Sequence, residues 1–247
     1  LILAFCSAAL LGFYDVCKKH ALSGNAVLPV LFLNTAICSL LFLPFIILSS
    51  YTGLLDSSSF YVEPCGWEQH RYILLKACIV LSSWIFGYFA MKHLPITIVG
   101  PINATRPVMV LIGALLVFGE RLNVWQWAGV TLAIISFFLL KRSGKKEGVD
   151  FRHNKWIFSL ILAAVLGAVS GLYDKYLMAP PENGGVGLSR MVVQSWYNLY
   201  QLAMMGLTML MIWWPTRKKS TPFTWKWSII FISLFLSAAD FVYFYAL

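Results

Sequence analysis

Long apolar runs separated by short polar segments dominate this chain of 247 residues. A helix needs about 20 residues to cross the hydrocarbon core of a bilayer. Eight runs meet this length, near residues 1–22, 27–49, 72–92, 95–118, 123–141, 156–178, 189–214 and 225–247. Because most connections between them are short, neighbouring helices should run antiparallel. The pattern predicts an all-α integral membrane protein that crosses the bilayer several times as a helical bundle.

Composition supports this class and excludes others. The chain is 60% hydrophobic and 12% charged, with a mean hydropathy of +0.76, so it has too little polar surface to cover a soluble core. Its net charge of +9 comes from basic residues between apolar runs, as juxtamembrane loops require. We therefore expect the lipid bilayer, and no nucleic acid, as a partner. The five cysteines lack C-x-x-C spacing and predict no metal site, and we expect no cofactor.

Two segments of the chain recur in order. Residues 12–15, Gly-Phe-Tyr-Asp, match 171–174, Gly-Leu-Tyr-Asp, and residues 81–89 share five positions with 236–244. If the repeated unit has five helices, an odd number, its second copy enters the membrane from the opposite side and is inverted relative to the first, as in many secondary transporters. We expect a first repeat over 1–141, a basic linker over 142–155, and a second repeat over 156–247 that stops after its third helix. The chain is then a fragment of a ten-helix protein.

The first repeat also carries recognisable motifs. They are Tyr88-Phe89 at the end of the third span, Pro107 within the fourth, Gly-Glu-Arg-Leu at 119–122, Trp-Ala-Gly at 127–129, and Lys141-Arg142. In these the chain resembles an EamA-type repeat of the drug/metabolite transporter superfamily. The resemblance implies two inverted five-helix units around a central cavity through which small metabolites move.

The resulting functional hypothesis is a secondary transporter that carries a small polar or amphiphilic metabolite by alternating access between the two repeats. A lipid-linked sugar or drug exporter is the alternative within transport. A membrane-embedded enzyme or a structural subunit is the alternative outside it. The sequence holds no H-E-x-x-H, G-x-S-x-G, P-loop or G-x-G-x-x-G motif, so we predict that the protein is not an enzyme. We expect it in a bacterial inner (plasma) membrane.

Arg106 lies near the middle of the fourth predicted span. An ionised side chain at this depth costs at least roughly 2.5–3.5 kcal/mol, so it normally faces a wet cavity or a partner. Its guanidinium suits a carboxylate or phosphate of the substrate. A buried ion pair with an aspartate is the alternative. Pro101 and Pro107 each remove a backbone donor, which predicts a kink around this residue.

Three aspartates lie within or beside apolar spans. Asp15 and Asp174 occupy equivalent repeat positions, and either is a candidate for proton coupling because burial favours a protonated carboxyl. The alternative is that both form interfacial ion pairs with lysines next to them in sequence. Asp240 has no acidic counterpart in the first repeat, which makes it a candidate cavity-lining acid and a third proton-coupling candidate.

Other residues are candidates for the cavity wall, because small-ligand sites combine apolar walls with a few polar groups. These are Asn34, Asn103, Trp84, Tyr88, Gln194 and Tyr243. Hydrogen bonding between helices is the alternative for the amides.

Lysine and arginine gather after the odd-numbered predicted spans. The even-numbered span ends hold only Arg71, Lys76, Arg121, Lys175 and Arg190. The positive-inside rule then places the ends of the odd-numbered spans in the cytoplasm and the N-terminus outside. Ten-helix relatives are described with both ends cytoplasmic, which disagrees with this placement of the N-terminus, so the orientation stays open.

Overall fold

A computed structural model describes residues 2–119, 123–144 and 153–246. In these residues the chain is helical and has no strand. Ten α-helices follow one another: α1 Ile2–Leu22, α2 Val27–Tyr51, α3 Trp67–His93, α4 Ile96–Asn103, α5 Arg106–Phe118, α6 Val124–Gly144, α7 Lys155–Met178, α8 Arg190–Thr208, α9 Trp214–Thr216 and α10 Ser228–Ala246. A π-helical turn, Met209–Trp213, continues α8 into α9.

Every predicted span coincides with helix in the described residues. Five stretches are long and apolar enough to cross a membrane: Val27–Tyr51, Trp67–His93, Ile96–Val117, Lys155–Met178 and Ser228–Tyr245. The prediction of an all-α, multi-pass integral membrane protein is therefore confirmed. Most of the predicted basic linker 142–155 and residues 120–122 of the Gly-Glu-Arg-Leu motif lie outside the described residues, and the repeat boundary stays a prediction.

The fourth predicted span is broken where its prolines predict a kink. Helix α4 ends at Asn103 and α5 begins at Arg106, with Ala104 and Thr105 between them. Pro107 lies in the first turn of α5, where its missing N–H has no helical acceptor to lose. Gly119 ends α5 with a φ of 65°, a left-handed conformation that glycine adopts without strain. Arg106 therefore stands at a helix start inside one span.

The helices form two compact units. The first unit contains residues 1–81 and 174–247, and the second contains residues 82–173. In the first unit α1 packs along α10, and α2 packs along α8. In the second unit the end of α3 contacts the start of α7, where Ser83 Oγ donates to the Ala163 carbonyl at 2.7 Å and Ser159 Oγ to the Phe86 carbonyl at 3.0 Å.

Candidate functional site

A buried ion pair lies inside the first unit. Lys76 of α3 and Asp174 of α7 are 2% and 4% exposed, and the Lys76 ammonium donates a hydrogen bond to the Asp174 carboxylate. Charges this far from water are tolerated only when they are paired. Removing either partner would leave a buried charge uncompensated.

A second carboxylate lies in the same cluster. The Tyr197 hydroxyl of α8 donates to Oδ2 of Asp240 in α10 at 2.6 Å. Lys76 Nζ lies 4.8 Å from the centroid of the Tyr197 ring and 5.1 Å from that of Phe244, close enough for cation–π attraction. Four helices thus bring one ammonium, two carboxylates and two aromatic rings together. We call Lys76, Asp174, Tyr197, Asp240 and Phe244 the ionic cluster.

A polar seam between α2, α8 and α10 continues from this cluster. Ser233 Oγ donates to Asn34 Oδ1 at 3.0 Å, and Gln194 Nε2 donates to the Ser237 carbonyl at 3.3 Å. Ser39 Oγ donates to the Asn198 carbonyl at 2.8 Å. Both carbonyls already belong to helices, so these side chains tie helix to helix.

An open cavity of about 1000 Å³ lies at one end of the first unit. The α2–α3 loop and the segment joining α7 to α8 provide most of its walls. Its charged lining residues are Asp56, Glu63, Lys175 and Arg190, and Phe244 also lines it. The Arg190 guanidinium lies 3.9 Å from the centroid of the Tyr245 ring. Phe244 therefore lines the cavity and also contacts Lys76 of the ionic cluster.

The structure brings five of the predicted site residues into the first unit's polar interior. Asp174 and Asp240 belong to the ionic cluster, Tyr243 precedes Phe244 and contacts its ring at a centroid distance of 5.5 Å, and Asn34 and Gln194 lie in the seam. Asp15 forms a separate pair with Lys18, at 2.7 Å between Oδ1 and Nζ.

The other predicted site residues belong to the second unit. Tyr88 is buried, and Trp84, Asn103 and Arg106 are partly buried. The Arg106 side chain packs against α7, since a Cβ placed on Gly167 would lie 3.1 Å from both its Cζ and its Nε. The glycine therefore leaves the space that the guanidinium fills.

Lys76 and Tyr197 were missed by the sequence reasoning. Counting Lys76 among charges at a membrane end is wrong, because the residue lies nine positions into α3 and is buried. The available signal was its apolar surroundings, Tyr-Ile-Leu-Leu before it and Ala-Cys-Ile-Val-Leu after it. A lysine within such a run has the same significance that was assigned to Arg106.

Comparison with known proteins identifies the family. A family model described as the EamA-like transporter family matches residues 1–142. One similar protein, UDP-galactose transporter homolog 1 of Kluyveromyces lactis, is 24% identical over 84 residues, which cover 33% of this chain and 25% of that protein. The matched part is thus a quarter of that protein's length. Both matches point to a transporter rather than an enzyme. Because the family model covers more than half of the sequence, the chain belongs to the EamA-like transporter family.

Proposed function

We propose that this protein is a secondary transporter of a small phosphate-bearing metabolite, of the nucleotide-sugar class, working by alternating access between two inverted repeats. The observation that carries the proposal is the buried Lys76 ammonium, which contacts the ring of Phe244, a residue that lines a cavity of about 1000 Å³. The name of the K. lactis relative supports the substrate class, because UDP-galactose carries a diphosphate.

Lys76 suits a phosphate ligand chemically. A lysine ammonium is a compact charge with three donors, and it binds phosphate oxygens as readily as carboxylate oxygens. In the structure Asp174 supplies the compensating charge. A substrate phosphate that reaches Lys76 would replace Asp174 as its partner, so the lysine stays paired throughout. Movement of the Phe244 ring would open the path.

The charge balance of the ionic cluster supports proton coupling. Two carboxylates, Asp174 and Asp240, face one ammonium, so an incoming anion would add to an excess of negative charge. Protonation of one carboxylate as the substrate enters would remove this repulsion. We propose Asp240 as the carboxylate that is protonated. Its hydrogen-bond partner, the Tyr197 hydroxyl, can accept a hydrogen bond from a protonated carboxyl as well as donate one to a carboxylate.

One contact supports the inverted repeats. Ser39 of α2 donates to the carbonyl of Asn198 of α8, and these residues are separated by 159 positions, the same offset that relates Gly12 to Gly171. A residue that lies on a two-fold axis contacts its own counterpart. We place the pseudo-two-fold axis between α2 and α8 at this contact, relating the proposed repeats 1–141 and 156–247.

The second unit holds the remaining proposed contacts. Arg106, Asn103, Trp84 and Tyr88 stay predicted substrate-binding residues, with Arg106 as a further candidate for a negatively charged group. The bacterial inner membrane also stays a prediction.

Uptake into proteoliposomes tests the proposal. Radiolabelled UDP-galactose should accumulate in vesicles of the parent protein, faster when an inward proton gradient is imposed. Lys76→Met should abolish uptake, whereas Lys76→Arg should retain part of it because the charge remains. Asp240→Asn should remove the dependence on the proton gradient. Arg71→Gln, which changes an exposed cation on the same helix, is the matched control and should transport normally.

The alternatives give different results in the same assay. Equal uptake by Lys76→Met and the parent would contradict the role of Lys76. Movement of a lipid-linked sugar without movement of any nucleotide sugar would instead support the exporter alternative. Size-exclusion chromatography of each variant separates loss of transport from loss of folding.

A further inference from the structure

The loops at the two ends of the first unit carry opposite charge. At one end, the loop from α9 to α10 (residues 217–227, the basic loop) holds Arg217, Lys218, Lys219 and Lys226, and neither it nor the α1–α2 turn contains a carboxylate. At the other end, the α2–α3 loop and the α7–α8 segment hold Asp56, Glu63 and Glu182 and contain no lysine or arginine.

The basic loop is fixed to the neighbouring α1–α2 turn. The buried Asn25 side chain accepts a hydrogen bond from the Thr224 N–H at 2.9 Å and donates one to the Thr224 carbonyl at 2.7 Å. Lys226 Nζ donates to the carbonyls of His20 and Ser23 at 2.9 and 2.6 Å. The ammonium of Lys226 thus binds backbone carbonyls at the end of α1. The other three cations of the basic loop make no such contact with the described residues of α1.

The three remaining cations are available for an external partner. Arg217, Lys218 and Lys219 are exposed, and no described carboxylate lies within ion-pair distance of them. Tryptophans flank them: the Arg217 guanidinium lies 4.0 Å from the centroid of the Trp214 ring, and Trp225 and Trp227 are 48% and 71% exposed. Tryptophan favours the headgroup level of a bilayer, so these cations stand where lipid phosphates lie.

We propose that the basic loop binds the headgroups of anionic phospholipids in the leaflet that it faces. A juxtamembrane cluster of cations attracts an anionic leaflet, and exposed tryptophans hold it at the right depth. The anionic leaflet is the cytoplasmic one, so this end faces the cytoplasm. This inference is independent of the transported substrate.

Lipid binding to the purified full chain tests the proposal. Native mass spectrometry measures the apparent affinity for phosphatidylserine and for phosphatidylcholine. The parent should prefer phosphatidylserine, and the variant R217Q/K218Q/K219Q should bind it up to roughly a hundredfold more weakly, about a factor of five for each cation removed. Its affinity for phosphatidylcholine should not change. R217K/K218R/K219R keeps the charge and should behave as the parent, as should Arg71→Gln near the acidic end.

Two results would overturn the proposal. One is an unchanged preference for phosphatidylserine in the neutralised variant. The other is displacement of phosphatidylserine by inorganic phosphate or glycerophosphoserine at equal concentration, which indicates a site for a soluble phosphate. If the triple variant does not fold, salt titration of the parent decides: phosphatidylserine binding should weaken as ionic strength rises, and binding that is insensitive to salt contradicts the proposal.

Discussion

Asp15 and Asp174 occupy equivalent positions in the predicted repeats but have different surroundings. The Asp15 side chain is 21% exposed and pairs with Lys18, three residues away on the same helix. The Asp174 side chain is 6% exposed and pairs with Lys76, 98 residues away. Lys18 is buried as well, but water reaches the Asp15 carboxylate more than that of Asp174. Because solvent screens the more exposed pair better, the same substitution should have unequal effects.

Replacing each aspartate by asparagine tests this difference. We expect Asp174→Asn to cost up to about 3–5 kcal/mol, because it removes the carboxylate that accepts the hydrogen bond of the buried Lys76 ammonium and leaves only Asp240 as a nearby counter-charge. Asp15→Asn, the repeat-matched control, should cost less than Asp174→Asn, because the Asp15 carboxylate is partly exposed to solvent. Thermal unfolding in detergent measures both. Equal losses of stability would show that the two environments do not differ in the way described.

Cys65, in the α2–α3 loop, gives a pH-dependent prediction. Burial and then the negative charge of Glu63 raise the pKa of its thiol, so less thiolate is present at a given pH. Maleimide labelling of a variant that keeps only this cysteine should therefore rise at higher pH than for an ordinary thiol. Glu63→Gln should lower the pKa and speed labelling severalfold near neutral pH. Glu68→Gln is the control, and an equal acceleration by it would contradict the assignment to Glu63.

The α2–α3 loop is held against helices α2 and α10 by side-chain contacts. Phe60 stacks between Phe45 of α2 and Phe241 of α10, with centroid distances of 5.4 and 5.6 Å. The Val62 N–H donates to Ser49 Oγ at 3.0 Å. The composition of the loop predicted only that it lies outside the lipid. The Phe60 ring and the hydrogen bond from Val62 hold the loop against α2 and α10. In this position the loop forms one wall of the cavity.

Removing this aromatic ring should loosen the loop. Phe60→Ala should cost about 1–2 kcal/mol, because it removes two stacked contacts as well as buried apolar area. It should also increase the labelling rate of Cys65. Leu54→Ala, at a side chain that is 76% exposed, should change stability by less than about 0.5 kcal/mol. A similar effect of both substitutions on unfolding and on labelling would argue against Phe60 as the anchor.

At the scale of the whole molecule, the proposed repeats predict which parts of the first unit move least. Motion of one repeat against the other displaces residues near the pseudo-two-fold axis less than residues at the cavity mouth. Ser39 and Asn198 lie at the proposed axis, and Ser58 and Asn183 lie on the cavity wall.

Crosslinking tests this expectation in a background without native cysteines. Ser39→Cys with Asn198→Cys, joined by a short bifunctional reagent, should retain most of the uptake. Ser58→Cys with Asn183→Cys, joined across the cavity, should reduce uptake at least about tenfold, because this end can no longer open and close. Reversal by a cleavable reagent is the control. Loss of uptake with the axial crosslink alone would place the axis elsewhere.

Sequence patterns predicted the helices well because the information is local. The length and apolarity of the runs were enough to locate the helices, five stretches of which, among the described residues, are long and apolar enough to cross a membrane. Pro101 and Pro107 predicted a kink around Arg106. For the site the result was uneven. Asp174 and Asp240 were identified from charge within apolar runs, but their partners Lys76 and Tyr197 were not, because these contacts join helices that are distant in sequence.

The sequence by itself determined that this chain is a multi-pass helical membrane protein and roughly where its helices lie, because a bilayer requires backbone hydrogen bonds to close within each segment. Only the tertiary structure decided which charges meet. The partner of a buried ion depends on how each helix is rotated and which neighbour it packs against. For this reason Asp174 of α7 pairs with Lys76 of another helix, α3, while its repeat counterpart Asp15 pairs with Lys18 one turn away on the same helix.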